Sequence, residues 1–312
     1  MQITPLIFSS SLIAGFGFLL VAGPAFGELF ATKPPIYRNK KALLANKKMN
    51  LTYEEVSFSS GDGLVLRGWF YPAEDPHAPA VISAPATSHD QCSGLSLVQP
   101  LHRAGYHVLL FSYRGHGQSD GNAFGFSYGA RESKDIDAAV NFLTEAKGIT
   151  KIGLIGHSAG AVSALLSAAR NPRVGAVVAA SPFSSMEAVW NNNRPAFFPS
   201  SIFGLTLRFV EWRKGFSRHA VRPQDVISQI SPRPILLIHG EDDQRVSTQQ
   251  VKELFFAAER PVSLWLVEGA SHGEVGSVVL AEQIDQIIAF YEGAFGRAGR
   301  PLIGRRILKV GV

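Results

Sequence analysis

A chain of 312 residues, 46% of them hydrophobic and 18% charged, predicts one large globular domain. Its single cysteine, Cys92, excludes an intramolecular disulfide and argues against a cysteine-based metal site. The net charge of +5 comes from the two ends, since residues 51–296 hold 19 basic and 24 acidic side chains, so the folded body lacks the basic groove that a nucleic-acid partner would need.

The first element is an apolar stretch, Leu6 to Phe26, which has no charged side chain and is about long enough to cross a bilayer as a helix. Basic residues follow it, and they predict membrane contact with the large domain on the cytoplasmic side. We therefore expect residues 1–30 to be a single-pass anchor and residues 31–50 a basic linker. The alternatives are a helix packed on the domain and a signal peptide cleaved near Ala25-Phe26-Gly27, which would precede export.

Beyond the linker, short apolar strands alternate with helical segments. "LTYEEVSFSS" and "LVLRGWFYP" flank Gly61-Asp62-Gly63, a pattern typical of a β-hairpin. Near-continuous apolar runs predict further buried strands, which begin near Ala80, Tyr106, Ile152, Gly175, Pro234 and Ser263. Segments with helical periodicity begin near Ala130, Ala159 and Ala281. This order predicts an α/β fold over residues 51–296, a mostly parallel doubly wound sheet with an N-terminal antiparallel hairpin.

One interval breaks the alternation. Residues from about 184 to 230 are rich in aromatic and aliphatic side chains and prolines, with no strand pattern. In α/β enzymes ligands bind beyond the carboxyl ends of the strands, where an insertion of this kind can form a lid. We expect a short helical lid here, with an ordinary packed excursion as the alternative. The last segment, residues 297–312, is expected to be a basic tail.

Ser158 lies in the sequence Gly156-His157-Ser158-Ala159-Gly160, between a predicted strand and a predicted helix. A nucleophile elbow requires this strand–turn–helix context, because the tight turn exposes the serine hydroxyl and Gly156 and Gly160 leave room for it. His157 is expected to pack within the elbow. The alternative is that Ser158 is only the polar residue of a tight turn.

Candidate partners for Ser158 follow in the chain. The segment "LLIHGEDDQRV" places Asp242 and Asp243 after one predicted strand, and "LVEGASHGE" places His272 after the next. Parallel strands end at the same edge of a sheet, so these groups can converge there with the serine. A serine hydroxyl needs a base, and the base needs an orienting carboxylate.

The sequence from Leu51 to Gly293 resembles the serine α/β-hydrolase superfamily, and in particular its membrane-anchored branch related to monoacylglycerol lipases and lysophospholipases. The family's H-G-x-x-D-x-x-V pattern is similar to "HGEDDQRV", which implies that Asp243 rather than Asp242 is the acid. The resemblance implies a catalytic triad of Ser158, Asp243 and His272. Because no phosphate-binding loop or metal cluster appears in the sequence, neither a cofactor nor a metal is expected.

One departure from the family concerns the oxyanion hole. After the strand "AVISA" the family has His-Gly and then a residue whose backbone N–H is a donor, whereas this sequence reads Ala84-Pro85-Ala86. Pro85 has no N–H but Ala86 does, so the resemblance implies Ala86 as one donor and Ala159 as the other. His89 is close enough in sequence to act as a substitute polar group, although a surface role is preferred.

These features predict a serine hydrolase that cleaves an ester-type bond, in a small-molecule or lipid acyl ester, through an acyl-enzyme. A peptidase, amidase or thioesterase using the same triad is an alternative. A binding or scaffold protein that has this fold without turnover is another.

Overall fold

The computed structural model describes residue 46 and residues 49–121, 125–194, 196, 199–297 and 305–310. In these residues nine strands form one sheet in the order β1-β2-β4-β3-β5-β6-β7-β8-β9. The strands are β1 Glu54–Ser59, β2 Val65–Tyr71, β3 Ala80–Ala84, β4 His107–Ser112, β5 Ile152–His157, β6 Val174–Ala180, β7 Ile235–Gly240, β8 Val262–Val267 and β9 Arg305–Val310. β2 is antiparallel to β1 and to β4, and the other pairs are parallel. The predicted mostly parallel sheet with an N-terminal hairpin is confirmed.

Helices cover both faces of this sheet. Those of seven residues or more are α1 Leu95–Arg103, α2 Glu132–Asn141, α3 Ala159–Arg170, α4 Met186–Asn192, α5 Ser200–Lys214, α6 Thr248–Ala257 and α7 Ile284–Ala294. Successive strand residues enter different cores: Leu154 packs in one hydrophobic cluster with Val162 of α3, and Ile155 packs in a second cluster with Ile287 of α7. Burial on both faces explains why the strands are apolar along almost their whole length.

The interval predicted to form a lid lies between β6 and β7. It contains α4 and α5, followed by the short 3₁₀ turns Arg218–Ala220, Pro223–Asp225 and Ile227–Ile230. Three large apolar side chains on α5 are exposed, Leu205 at 61%, Phe209 at 37% and Trp212 at 77%. The interval is therefore helical, as the absence of a strand pattern suggested.

β9 was not predicted, because residues 297–312 have the composition of a basic tail. This strand pairs in parallel with β8, from Arg305 opposite Val262 to Val310 opposite Val267. Its sequence, "RRILKV", is half basic. Charged residues are common in strands at the edge of a sheet, where they discourage pairing with other chains. A basic composition therefore does not distinguish an edge strand from a tail.

The predicted localisation, a single-pass anchor with a cytoplasmic domain, is corrected here. Across the described residues, no helix combines the length and the apolar character needed to cross a bilayer. The longest of them, α5, has 15 residues, whereas a membrane-spanning helix needs about 20. The stretch Leu6–Phe26, on which the prediction was based, lies outside the described residues.

Candidate active site

Ser158 lies at a sharp turn between the end of β5 and the start of α3. Its backbone has φ 55° and ψ −125°, and a positive φ is uncommon for a residue with a Cβ. Hydrogen bonds hold both sides of the turn: the Ser158 N–H donates to the Ala180 carbonyl at 2.8 Å, and the Ser158 carbonyl accepts from the Val162 N–H at 3.1 Å. This is the backbone geometry of a nucleophile elbow.

Close backbone approaches explain the two glycines of the elbow. A Cβ on Gly156 would lie 2.6 Å from the Gly160 carbonyl, and a Cβ on Gly160 would lie 2.3 Å from the Ala84 carbonyl oxygen. Both distances are shorter than any that real Cβ atoms tolerate. Gly160 therefore allows the first turn of α3 to touch the segment that follows β3, where the sequence predicts an oxyanion donor.

Replacing Gly160 with alanine is expected to lower the free energy of unfolding by about 1–3 kcal/mol, because the new methyl group must displace backbone. Gly204→Ala is the matched control, since Gly204 also lies within a helix and a Cβ there meets nothing within 4 Å. The control is expected to be as stable as the wild type or more stable by up to about 1 kcal/mol. Chemical denaturation measures both, and a Gly160→Ala variant as stable as the wild type would contradict the close packing.

Three polar side chains from separate segments of the chain meet at the elbow. His272 Nε2 lies 3.0 Å from Ser158 Oγ, and His272 Nδ1 lies 2.6 Å from Asp243 Oδ2. An ionised carboxylate only accepts hydrogen bonds, so Nδ1 carries the proton of the neutral imidazole and Nε2 accepts from the Ser158 hydroxyl. The Asp243 side chain is fully buried and that of His272 is 10% exposed. The structure thus brings together the three residues that the sequence predicts to form a triad.

Hydrogen bonds keep Asp243 ionised inside the protein. Burial by itself raises the pKa of this carboxyl, but the hydrogen bonds from His272 and the Val246 N–H outweigh it and lower the pKa below its ordinary value. The second oxygen, Oδ1, accepts from the N–H groups of Arg245 and Val246, each at 2.9 Å. The neighbouring Asp242 is exposed. Among the described acidic side chains, Asp243 is therefore the one that pairs with His272.

The loops after β7 and β8 are held tightly together. A Cβ on Gly240 would lie 2.1 Å from the Ala270 carbonyl oxygen, and the Asp242 N–H donates to the same oxygen at 3.1 Å. Beyond Ala270, the Glu274 carboxylate accepts from the Ser271 N–H at 2.8 Å and caps the short helical segment that follows. These contacts fix Asp243 and His272 relative to each other.

The two predicted oxyanion donors belong to the segments that meet at Gly160. Ala86 follows β3 and lines the same cavity as Ser158. Ala159 is the first residue of α3, so its N–H has no partner inside the helix. The imidazole of His89 also lines this cavity; it is exposed, and its Nδ1 donates to the Thr87 carbonyl at 2.8 Å.

A cavity of about 1100 Å³ opens over Ser158 and His272. Its apolar wall is formed by Leu97, Tyr128, Phe183, Val189, Trp190 and Leu280. The rings of Tyr128 and Trp190 meet edge to face with their centroids 6.1 Å apart, and Trp190 is 3% exposed. Because Val189 and Trp190 belong to α4, the interval between β6 and β7 supplies part of the cavity wall.

Two residues of the site, Tyr128 and Trp190, were not predicted from the sequence. Trp190 lies at the start of the aromatic-rich interval, a signal that pointed to the region but not to the residue. Tyr128 lies in "FSYGA" before α2, where no motif marks it. Its φ of 56° is set by the surrounding fold. Burial raises the pKa of the Tyr128 phenol to about 12, so its hydroxyl is neutral at physiological pH.

Comparisons with known proteins agree with this fold. A family model described as alpha/beta hydrolase fold matches residues 83–201. The uncharacterized protein YfhR of Escherichia coli K12 is 27% identical over 249 residues, which cover 76% of this chain and 81% of that protein. The alpha/beta hydrolase domain-containing protein WAV2 of Arabidopsis thaliana is 26% identical over 273 residues, 80% of this chain and 82% of that one.

Among solved structures, the Pyrococcus furiosus esterase Pf2001 superposes with a TM-score of 0.66 at 23% identity, covering 83% of this chain and 96% of that one. Together with the sheet order and the elbow, this likeness defines the α/β-hydrolase fold. The chain has the α/β-hydrolase fold, and its sequence is similar to the family model of that fold and to a relative described as an alpha/beta hydrolase domain-containing protein.

Proposed function

We propose that this protein is a serine hydrolase that cleaves esters of lipophilic acids. The observation that carries the proposal is the hydrogen-bonded series from Ser158 Oγ through His272 to Asp243, with distances of 3.0 and 2.6 Å. A serine hydroxyl is a weak nucleophile at neutral pH. A base within hydrogen-bond reach, itself oriented by a carboxylate, is the arrangement that activates it.

In the acylation half of the proposed reaction, Ser158 Oγ attacks the carbonyl carbon of the ester and its proton moves to His272 Nε2. A C–O bond forms, and the electron pair of the carbonyl moves onto the oxygen of a tetrahedral intermediate. When that intermediate collapses, the C–O bond to the alcohol breaks, and the departing alcohol oxygen takes the proton from His272. Asp243 stabilises the imidazolium while it exists.

In the deacylation half, a water molecule attacks the acyl carbon of the Ser158 ester and gives a proton to His272 Nε2. Collapse of the second tetrahedral intermediate returns that proton to Ser158 Oγ and releases the carboxylic acid. We assign the two oxyanion donors to the backbone N–H groups of Ala86 and Ala159. The proposed cycle balances with water as the only second substrate and requires no cofactor.

The cavity wall supports an apolar acyl group. Its aromatic and aliphatic side chains, among them Phe183 and Trp190, suit a hydrocarbon chain more than a charged or peptide-like group. The likeness to the esterase Pf2001 supports an ester in preference to an amide. The resemblance to monoacylglycerol lipases and lysophospholipases points to the same substrate class.

Trp190→Ala is expected to lower the preference for long acyl chains. The ratio of kcat/KM for an octanoate ester to that for an acetate ester should fall about tenfold, because the longer chain loses an apolar wall. Trp212→Ala is the matched control, since Trp212 is 77% exposed and does not line the cavity. If both variants keep the wild-type ratio for a series of p-nitrophenyl esters, Trp190 does not bind the acyl chain.

Labelling with a fluorophosphonate probe tests the class of enzyme. The wild type is expected to react, and mass spectrometry of the digested product should locate the adduct on Ser158. Heat-denatured protein is the control, because the activated hydroxyl requires the folded site. Turnover of matched ester, thioester and anilide substrates then separates an esterase from a thioesterase or an amidase. A folded wild type that stays unlabelled and hydrolyses none of these substrates would refute the proposal.

A further inference from the structure

The imidazole of His157 lies against that of His272. The ring centroids are 4.8 Å apart, and His157 Nε2 lies 2.8 Å from the backbone carbonyl oxygen of His272. A carbonyl oxygen only accepts hydrogen bonds, so the proton of the His157 ring must be on Nε2. His157, which precedes Ser158 in the elbow, therefore donates to the backbone of His272, whose side chain faces Ser158.

The ring of His157 is also confined from the side of the segment that follows His272. A Cβ on Gly276 would lie 2.6 Å from His157 Nδ1 and 2.8 Å from its Cγ. The helical segment Val275–Val279 can approach the ring this closely only because residue 276 is a glycine. His157 is thus held at Nε2 by a hydrogen bond and at Nδ1 by packing, which leaves its ring little freedom to turn.

His157 is neutral at physiological pH. Burial, assisted by the neighbouring His272, lowers the pKa of His157 to about 4, against the weaker opposing effects of the His272 carbonyl and Asp243; His89 adds a small lowering effect. A neutral His157 places no second positive charge beside the imidazolium that would form on His272. Its contribution to the site is therefore geometric.

We propose that His157 is a positioning residue, which sets the distance between His272 Nε2 and Ser158 Oγ by holding the His272 backbone carbonyl. This inference rests on the proposed function. Ser158 follows β5 directly, whereas His272 begins the short helical segment after β8, and the hydrogen bond from His157 joins these two parts of the chain directly. A displacement of about 1 Å at a reacting group can reduce a rate about 100-fold. Loss of the hydrogen bond from His157 is therefore expected to lower kcat rather than to weaken substrate binding.

The test compares His157→Leu with His157→Gln, using an acetate ester. Leucine fills space without a donor, whereas the glutamine amide can donate to the same carbonyl. We expect His157→Leu to lower kcat about 100-fold with KM within about threefold, and His157→Gln to recover most of the loss. The rate of fluorophosphonate labelling should fall in parallel, because it needs the same activated hydroxyl. Wild-type kcat in His157→Leu, or equal losses in the two variants, would overturn the inference.

A second comparison does not depend on the stability of a leucine variant. Gly276→Ala should push the imidazole of His157 and lower kcat about tenfold or more, but it should have little further effect on His157→Ala, where the ring is gone. Additive losses in the double variant would overturn the inference while leaving the hydrolase itself intact. An inactive and unlabelled wild type would instead overturn the proposed function, and this inference with it.

Discussion

Ser158→Ala is expected to lower kcat for ester hydrolysis by about 10⁴ to 10⁶-fold, with thermal stability close to that of the wild type. The substitution removes only Oγ, and with it the hydrogen bond of 3.0 Å to His272 Nε2. Alanine has a Cβ as serine does, so the positive φ at this position costs both residues the same. The backbone amides proposed as oxyanion donors remain, and the residual rate should stay above that of the uncatalysed reaction.

Ser163→Ala is the control for Ser158→Ala. Ser163 is a buried serine on α3, the helix that follows Ser158, and its hydroxyl donates to the Ala159 carbonyl at 2.7 Å rather than to a base. Its variant should hydrolyse esters at nearly the wild-type rate. Steady-state kinetics with a p-nitrophenyl ester, together with thermal unfolding, makes the comparison. A Ser158→Ala enzyme that retains more than about a hundredth of the wild-type kcat would show that the nucleophile is elsewhere.

Asp243→Asn is expected to lower kcat about 10⁴-fold while the fold is retained. The carboxylate accepts from two backbone N–H groups at Oδ1 and from His272 Nδ1 at Oδ2. In the asparagine variant the amide oxygen satisfies the two backbone donors, so the NH₂ group faces Nδ1. His272 must then accept this hydrogen bond at Nδ1 and carry its own proton on Nε2. A protonated Nε2 cannot accept the proton of Ser158.

The comparison for this variant is Asp242→Asn, the adjacent acid that is exposed. Its loss of kcat should be less than about tenfold, because the other acid, Asp243, orients the base. Measurement of kcat and KM for both variants distinguishes the two positions. Similar losses at residues 242 and 243 would mean that the orienting carboxylate acts only through the general charge of the loop. Retention of full activity by Asp243→Asn would refute the proposed role of the acid.

Most of the sheet could be predicted because its signals are local. Apolar runs begin within a residue or two of β3 to β8, and the Asp-Gly turn marks the hairpin of β1 and β2. No pattern in the sequence singled out α1, α6 or β9. α1 has a proline, Pro100, inside it, and β9 is rich in basic residues, so both depart from the usual composition of their element. β9 forms by pairing with β8 despite its basic composition. Such pairing joins residues that are distant in the sequence, so no local pattern predicts it.

The candidate site, too, was predictable only in part. The elbow, the strand ends and the chain order of serine, aspartate and histidine could be identified from residues that are neighbours in the sequence. The aromatic wall of the cavity could not, because Tyr128 lies in the loop before α2 and Trp190 lies in α4, and the two meet only in the folded chain. The contact of His157 with the backbone of His272 joins residues 115 positions apart.

By itself, then, the sequence determined the class of fold and the turn that exposes Ser158, because both follow from periodicity and from glycine spacing over a few residues. Only the tertiary structure decided the distances at which Ser158, His272 and Asp243 meet, and which side chains surround them. Those distances depend on the order of strands in the sheet. They depend equally on the close approach of other segments of the chain to Gly160, Gly240 and Gly276, which no local sequence pattern predicts.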